Sequence, residues 1–112
     1  MIENDPTFPA IQNLLTLASK RQQILAANVA NLDTPGYKAK DISFAEHLGS
    51  NLEATVRAID VNTKEKPDGN NVDLDRELTE ITKNGLQYIT LVQYLNQRIK
   101  TLRAAIMDGG RV

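Results

Sequence analysis

The stretch DLDRELTEITKNGLQYITLVQYLNQRIKTLRAAIM, residues 73–107, decides the fold. Within it Leu78, Ile81, Gly85, Tyr88, Val92, Leu95, Ile99, Leu102 and Ile106 recur at alternating spacings of three and four. A row with that alternation stays on one side of an α-helix and is the packing seam of a coiled coil. Asp73 is placed to cap the first free N–H groups, and Asp75 and Glu77 put negative charge in the first turn. Asp108-Gly109-Gly110 supplies the stop. Gly85 costs about 1 kcal/mol of helix propensity. Its position on the seam predicts close approach of a neighbouring helix, against the competing reading of a weak point.

Outward toward the N-terminus, residues 10–32 carry a second helical pattern, expected to start near Pro9. Ile11, Leu15, Ala18, Gln22, Leu25, Val29 and Leu32 keep one face turned to a partner, with Leu14 and Leu17 broadening it. Lys20, Arg21 and Gln23 fall on the opposite face. The expectation is an all-α chain of two long helices packed as an antiparallel, coiled-coil-like pair. At ~1.5 Å per residue the helices are roughly 35 and 50 Å long, so one or two turns of the second seam are left uncovered. A lone subunit with uncovered seam is expected to be marginally stable and to order when neighbours pack against it.

Between the helices, residues 33–72 are rich in Asp, Asn, Lys, Gly and Pro and form a turn and irregular linker. Ser43-Phe44-Ala45-Glu46 matches a capping box, predicting a short helical turn before Gly49. Residues 52–61 fit a strand through Leu52, Ala54, Val56 and Ala58, and equally a helix through Leu52, Val56 and Ile59. Residues 64–69 read as an exposed turn. The chain of 112 residues is read as one domain.

Composition excludes several functions. Aromatic residues are only 4% with no Trp, so Leu, Ile, Val and Ala must carry the burial, which favours helix seams over a thick core. A net charge of -1 leaves no field to attract nucleic acid or anionic lipid. The short pairs Lys20-Arg21 and Lys38-Lys40 are expected on solvated surface. The chain has no cysteine, which removes disulfides and thiolate chemistry. No stretch approaches the ~20 apolar residues of a membrane span, and the first residues lack the basic and apolar regions of a cleavable secretory signal.

Catalytic and metal chemistry find no set of partners. His47 is the only histidine, and a lone histidine beside Glu46 is read as surface or packing. Asp68, Asn70, Asp73, Asp75 and Glu77 do not follow the calcium-loop spacing, because Gly69 directly follows Asp68. A turn running into a helix N-terminus accounts for them. No catalytic residue, metal ligand or cofactor is expected.

The most specific segment is Ala26-Ala27-Asn28-Val29-Ala30-Asn31-Leu32-Asp33-Thr34-Pro35-Gly36-Tyr37-Lys38. Physically it is a helix end followed by a sharp turn. The alanines offer a narrow surface to another helix, and Asn31 tolerates left-handed geometry or bonds its own backbone. Pro35-Gly36 suits the centre of a type II turn. The string resembles the N-terminal signature of the flagellar axial proteins of rod and hook. A second stretch, residues 67–77, together with 22–25 and 40–44, resembles the small proximal-rod members. The larger relatives' β domains have no room here. The related subunit FlgC usually lacks the uninterrupted turn string and is kept as an alternative.

The resemblance implies a non-enzymatic structural subunit of a helical drive shaft in the flagellar basal body, transmitting torque from the membrane ring to the distal rod and hook. It implies export through the type III apparatus without a cleaved signal peptide, and a periplasmic destination. Implied neighbours are FlgC, FlgF, FliE, further copies of the chain and the ring protein FliF, with no nucleic acid and no membrane insertion. Asn28, Asn31, Asp33, Thr34, Pro35, Gly36 and Tyr37 are expected to form the turn and subunit contacts. Leu15, Leu25, Val29, Leu32 and the nine seam residues of the second helix are expected to carry helix packing. The competing readings are a cytoplasmic helical-hairpin adaptor and, from the chemistry-bearing residues, a carboxylate-dependent hydrolase.

Overall fold

The computed structural model describes residues 5–42 and 59–109. Two helices dominate: α1, Thr7–Ala30, and α2, Leu74–Gly109, with two short strands between them, β1, Lys40–Asp41, and β2, Ile59–Asp60. The helices run antiparallel. Glu77 of α2 meets Asn28 of α1, Asn84 meets Ala18, and Arg98 meets Asp5 just ahead of α1. The molecule is a rod of 71 × 25 × 17 Å. Its radius of gyration, 18.7 Å, far exceeds the about 13 Å of a compact chain of this length.

Local sequence accounts for the helix ends. Asp5 Oδ1 accepts from the Thr7 N–H at 2.9 Å, and α1 begins at Thr7, two residues earlier than Pro9 suggested. It ends at Asn31, whose side-chain Nδ2 donates to the Ala27 carbonyl at 2.8 Å. Asn31 itself has φ -104, so it takes the backbone-bonding role and not the left-handed one. Asp73 Oδ1 accepts from the N–H groups of Asp75 and Arg76, the cap expected for α2. Inside α2, Thr82, Thr90 and Thr101 bond back to carbonyls four residues earlier, which satisfies their hydroxyls without leaving the helix.

The irregular middle holds a strand pair: Lys40 faces Asp60 and Asp41 faces Ile59 in antiparallel register. The capping-box turn at 43–46, His47 and most of the 52–61 segment lie outside the described residues.

Sequence expectation and structure part company on which faces meet. The buried row of α1 is Ile11, Ala18, Arg21, Leu25 and Asn28, with Leu17 beside it. Arg21 was expected on the outer face and is buried, because Asp41 and Glu80 supply the charge partners that make its burial tolerable. Lys38 and Lys40 keep their ammonium groups at the solvated surface as expected, where Lys38 pairs with Glu65 and Lys40 with Asp60.

On α2 the residues bonded to α1 or to Asp5 just ahead of it, Glu77, Asn84 and Arg98, lie on one row at multiples of seven residues. Of the apolar seam, Ile81, Tyr88, Leu95 and Leu102 flank this row. Leu78, Gly85, Val92, Ile99 and Ile106 each lie one residue further on, about 100° around the helix. Leu78 is 50% exposed and Ile106 45%. A Cβ built on Gly85 meets nothing within 4 Å, so no close helix contact is made there within the described chain. Beyond Arg98, α2 continues to Gly109, roughly three turns or about 16 Å past the start of α1.

Candidate functional site

The expected turn residues gather at the closed end of the hairpin. Helix α1 stops at Asn31, Thr34 Oγ1 donates to Asn31 Oδ1 at 3.0 Å, and the Tyr37 N–H returns to the Thr34 carbonyl at 3.2 Å. Pro35-Gly36 therefore occupies the centre of a tight turn, and Gly36 takes φ +74, the type II position that favours glycine. Gly69, at φ +85, opposes it: a Cβ on Gly69 would stand 3.5 Å from the Gly36 Cα. The backbones meet there, the Gly36 N–H donating to the Asp68 carbonyl at 3.0 Å and the Asn71 N–H to the Tyr37 carbonyl at 3.1 Å.

Three buried asparagines lock these turns together. Asn70 Nδ2 donates to the carbonyls of Asn31 and Thr34, at 2.9 and 2.8 Å, while its Oδ1 accepts from the Val72 N–H. Asn71 Oδ1 accepts from the Ala39 N–H at 2.6 Å and its Nδ2 donates to the Val61 carbonyl. Asn28, 0% exposed, accepts from the Lys40 N–H and the Tyr37 hydroxyl and donates to the Lys40 carbonyl and Glu77 Oε2. That uses the full hydrogen-bonding capacity of an amide side chain. Lys66 adds a bond to the Leu32 carbonyl at 3.1 Å.

An ion network continues this clasp along the hairpin. Arg21 grips both oxygens of Asp41, at 2.8 and 3.1 Å, and reaches Glu80 at 2.6 Å. Arg76 holds Asp41 at 2.8 Å and Glu77 at 3.0 Å. Burial pushes the Asp41 carboxyl up, but Arg21, Arg76 and the Ile42 N–H together hold it below its ordinary value. Asp41 raises the pKa of Arg21 in return, against burial. Five side chains from α1, β1 and α2 thus depend on one another, so the two helices can mate in one register only.

Of the expected turn residues, Asn28 is buried, Asn31 and Tyr37 are half-buried, and Asp33, Thr34, Pro35 and Gly36 face solvent. Of the packing set, Leu25 is buried, whereas Leu15, Val29, Leu32, Ile81, Gly85, Val92, Leu95, Ile99 and Leu102 are half-buried. Leu78, Tyr88 and Ile106 are exposed. Sequence reasoning passed over Arg21, Asp41, Asn71, Arg76 and Glu80 as structural partners. The available signal was the spacing of Ala18, Arg21, Leu25 and Asn28, which is helical once polar residues are admitted to the stripe. Among the described residues no group of acidic or histidine side chains could hold a metal ion.

A slender antiparallel hairpin closed by a tight Pro35-Gly36 turn, with apolar surface left over on α2, is the shape of a helical assembly subunit, and similarity to known proteins places it in the flagellar axial class. Residues 13–38, from mid-α1 through the turn, match the family model described as "Flagella basal body rod protein". The flagellar basal body rod protein FlgB of Bacillus subtilis (strain 168) is 34% identical, over 92% of this chain and 95% of its own length. FlgB of Escherichia coli (strain K12) is 34% identical over 88% and 91%, and FlgB of Aeromonas hydrophila 32% over 94% and 96%. The chain belongs to the FlgB family of flagellar basal body rod proteins, as a structural rod subunit. FlgC, the related alternative, is not favoured. Among the described residues no helix is long and apolar enough to cross a membrane.

Proposed function

We propose that the whole chain acts as a single unit of the proximal rod, a helical drive shaft carrying torque from the membrane ring to the distal rod and hook. The observation that carries this is the outward half of the α2 seam. Its two ends, Leu78 and Ile106, are 50% and 45% exposed, and Leu86, Ile89, Tyr94 and Met107 of the same helix are more than half exposed, an apolar surface that α1 does not cover. In a lone chain such an area is a liability. In a tube it is the surface that neighbours bury, and heterologous contacts that do not close generate a filament.

Its neighbours in this reading are further copies, FlgC, FlgF, FliE and the ring protein FliF. The chain leaves through the type III export apparatus with no cleaved signal and functions in the periplasm, without catalysis or cofactor. The slender hairpin, with few side chains fully buried, suits a chain that must be threaded unfolded and then ordered by its neighbours. The exposed turn residues Asp33, Thr34, Pro35 and Gly36 are available at the tip for subunit contact.

Leu78→Asp tests this reading. Leu78 is half-exposed in the single chain, so purified protein keeps its helix content, while cells lose swimming and the subunit disappears from isolated basal bodies. Normal rods in this variant would remove the seam as an assembly surface. A cytoplasmic adaptor would instead be found in the soluble fraction and be absent from basal bodies in the unmodified strain.

A further inference from the structure

Asn84 is the only asparagine of the chain that is followed by glycine. In water that dipeptide loses the asparagine side-chain amide more readily than any other, because the second residue has no side chain to shield its peptide nitrogen. Nothing else in the described structure asks for glycine at this place. The glycines with positive φ are Gly36 and Gly69, and a Cβ on Gly85 would meet nothing within 4 Å. The position lies inside α2, where glycine is among the poorest helix formers.

While the helices are paired, two restraints hold the reaction off. The helical backbone, with ψ of about −42°, turns the Gly85 nitrogen away from the Asn84 side-chain carbon and commits its N–H to the carbonyl four residues earlier. The Asn84 side chain is itself fastened. The residue is 1% exposed, and Nδ2, the nitrogen that would leave, donates to the Ala18 carbonyl at 2.8 Å and to Gln22 Oε1 at 2.7 Å. Both acceptors belong to α1, so the second restraint exists only in the closed hairpin.

We propose that Asn84-Gly85 is a self-modification site, kept silent by the pairing of α1 with α2. In a chain whose helices have come apart, the Gly85 nitrogen attacks the side-chain carbonyl carbon of Asn84. The new nitrogen–carbon bond closes a succinimide ring. The bond from that carbon to Nδ2 breaks, and Nδ2 leaves as ammonia, taking up the proton lost from the Gly85 nitrogen. Water then opens the ring, giving aspartate if it adds at the side-chain carbonyl and isoaspartate if it adds at the main-chain carbonyl. Neither product restores the pairing. Aspartate sets a carboxylate, which only accepts, against the Ala18 carbonyl, in a place where Asn84 Oδ1 already lacks a donor. Isoaspartate runs the backbone through an extra methylene and breaks the hydrogen-bond ladder of α2. The site thus retires, irreversibly, chains that stay unpaired, and it does so whatever the chain assembles into.

The purified chain tests this at mildly alkaline pH, held either in native buffer or in guanidinium chloride, with the peptide around residue 84 followed by its mass gain on amide-to-acid conversion. Conversion in denaturant is expected at least about tenfold faster than in native buffer, since reaction in the folded chain must wait for opening. Equal rates overturn the protection, and an Asn84 that stays intact in denaturant overturns the site. Gly85→Ala, whose methyl shields the nitrogen, should convert several-fold more slowly in denaturant. After ageing there and return to buffer, the unmodified chain should unfold at lower urea concentration than a fresh sample, whereas aged Gly85→Ala keeps the midpoint of its own fresh sample. An unchanged midpoint in the converted chain overturns the effect on pairing. An equal loss in Gly85→Ala with Asn84 intact places the damage elsewhere and overturns it too.

Discussion

Asn28 is bonded to Lys40 as a neighbouring strand would be: Oδ1 accepts from the Lys40 N–H at 3.0 Å and Nδ2 donates to the Lys40 carbonyl at 2.7 Å. Both atoms belong to one amide plane, which reproduces the donor and acceptor of a peptide unit. Strand β1 therefore has the side chain of a helix residue along one edge and β2 along the other. The helix end and the following loop are fixed to each other by a single residue.

Asn28→Leu should accordingly be expensive despite similar size. It strands the Lys40 N–H and carbonyl and Glu77 Oε2 in a buried place, at about 1–3 kcal/mol per uncompensated group. Urea unfolding of the purified chain should show a loss of at least about 2 kcal/mol. A loss under about 0.5 kcal/mol, the range of ordinary surface changes, would mean that the amide bonds are not what holds the loop.

Glycine replacements should split by position. Gly69→Ala meets no clash, since the new Cβ is 3.5 Å from Gly36, so its cost is that of a left-handed backbone, about 1–2 kcal/mol. Gly85→Ala occupies open space inside a helix and should raise isolated-chain stability by about 0.8–1 kcal/mol. Thermal melts of the two variants should move in opposite directions, and parallel shifts would contradict this reading.

Adjacent cations should behave differently. Arg21→Ala leaves Asp41 and Glu80 partly unpaired beneath α1, a change that costs about 3–5 kcal/mol in buried ion pairs. Lys20→Ala, on the exposed face, should stay within about 0.5 kcal/mol. Arg21→Lys should rescue little, because lysine cannot grip both Asp41 oxygens while reaching Glu80. Denaturation midpoints of the three variants check the order.

Acid should expose the Asp41 network. The folded-state pKa of Asp41 lies below its ordinary 3.8, so as pH falls past about 4 the unfolded chain takes up the proton first. The stability that this carboxylate contributes is complete above that pH and is lost as pH falls through the folded value. Asp41→Asn should be less stable at neutral pH and should show a shallower decline between about pH 4 and 2. An unchanged acid slope would show that other carboxylates carry the effect.

The antiparallel hairpin was legible because Leu, Ile and Val at helical spacing report burial directly. The turn was legible because Pro35-Gly36 admits few backbone shapes. The facing surfaces were not, because a stripe drawn through apolar residues moves from Arg21 to Gln22 and from Asn28 to Val29. On α2 the same habit selects Leu78 and Gly85 over Glu77 and Asn84. Burial of Arg21 depends on Asp41 and Glu80, which lie 20 and 59 residues away in sequence. No local pattern encodes such long-range pairing. The roles of Asn70 and Asn71 were hidden for a related reason: turn asparagines usually bond only their own backbone, whereas Asn70 also reaches Asn31 and Thr34, and Asn71 reaches Ala39 and Val61.

The three turns of α2 beyond Arg98 have a mechanical consequence. A subunit whose two ends are of unequal length cannot be stacked flush upon another. Under the proposed assembly each tail must slide alongside the copy above or below, like overlapping shingles. A shaft laid this way has no transverse plane along which it can shear, and twisting load crosses the flanks of its subunits, not their tips.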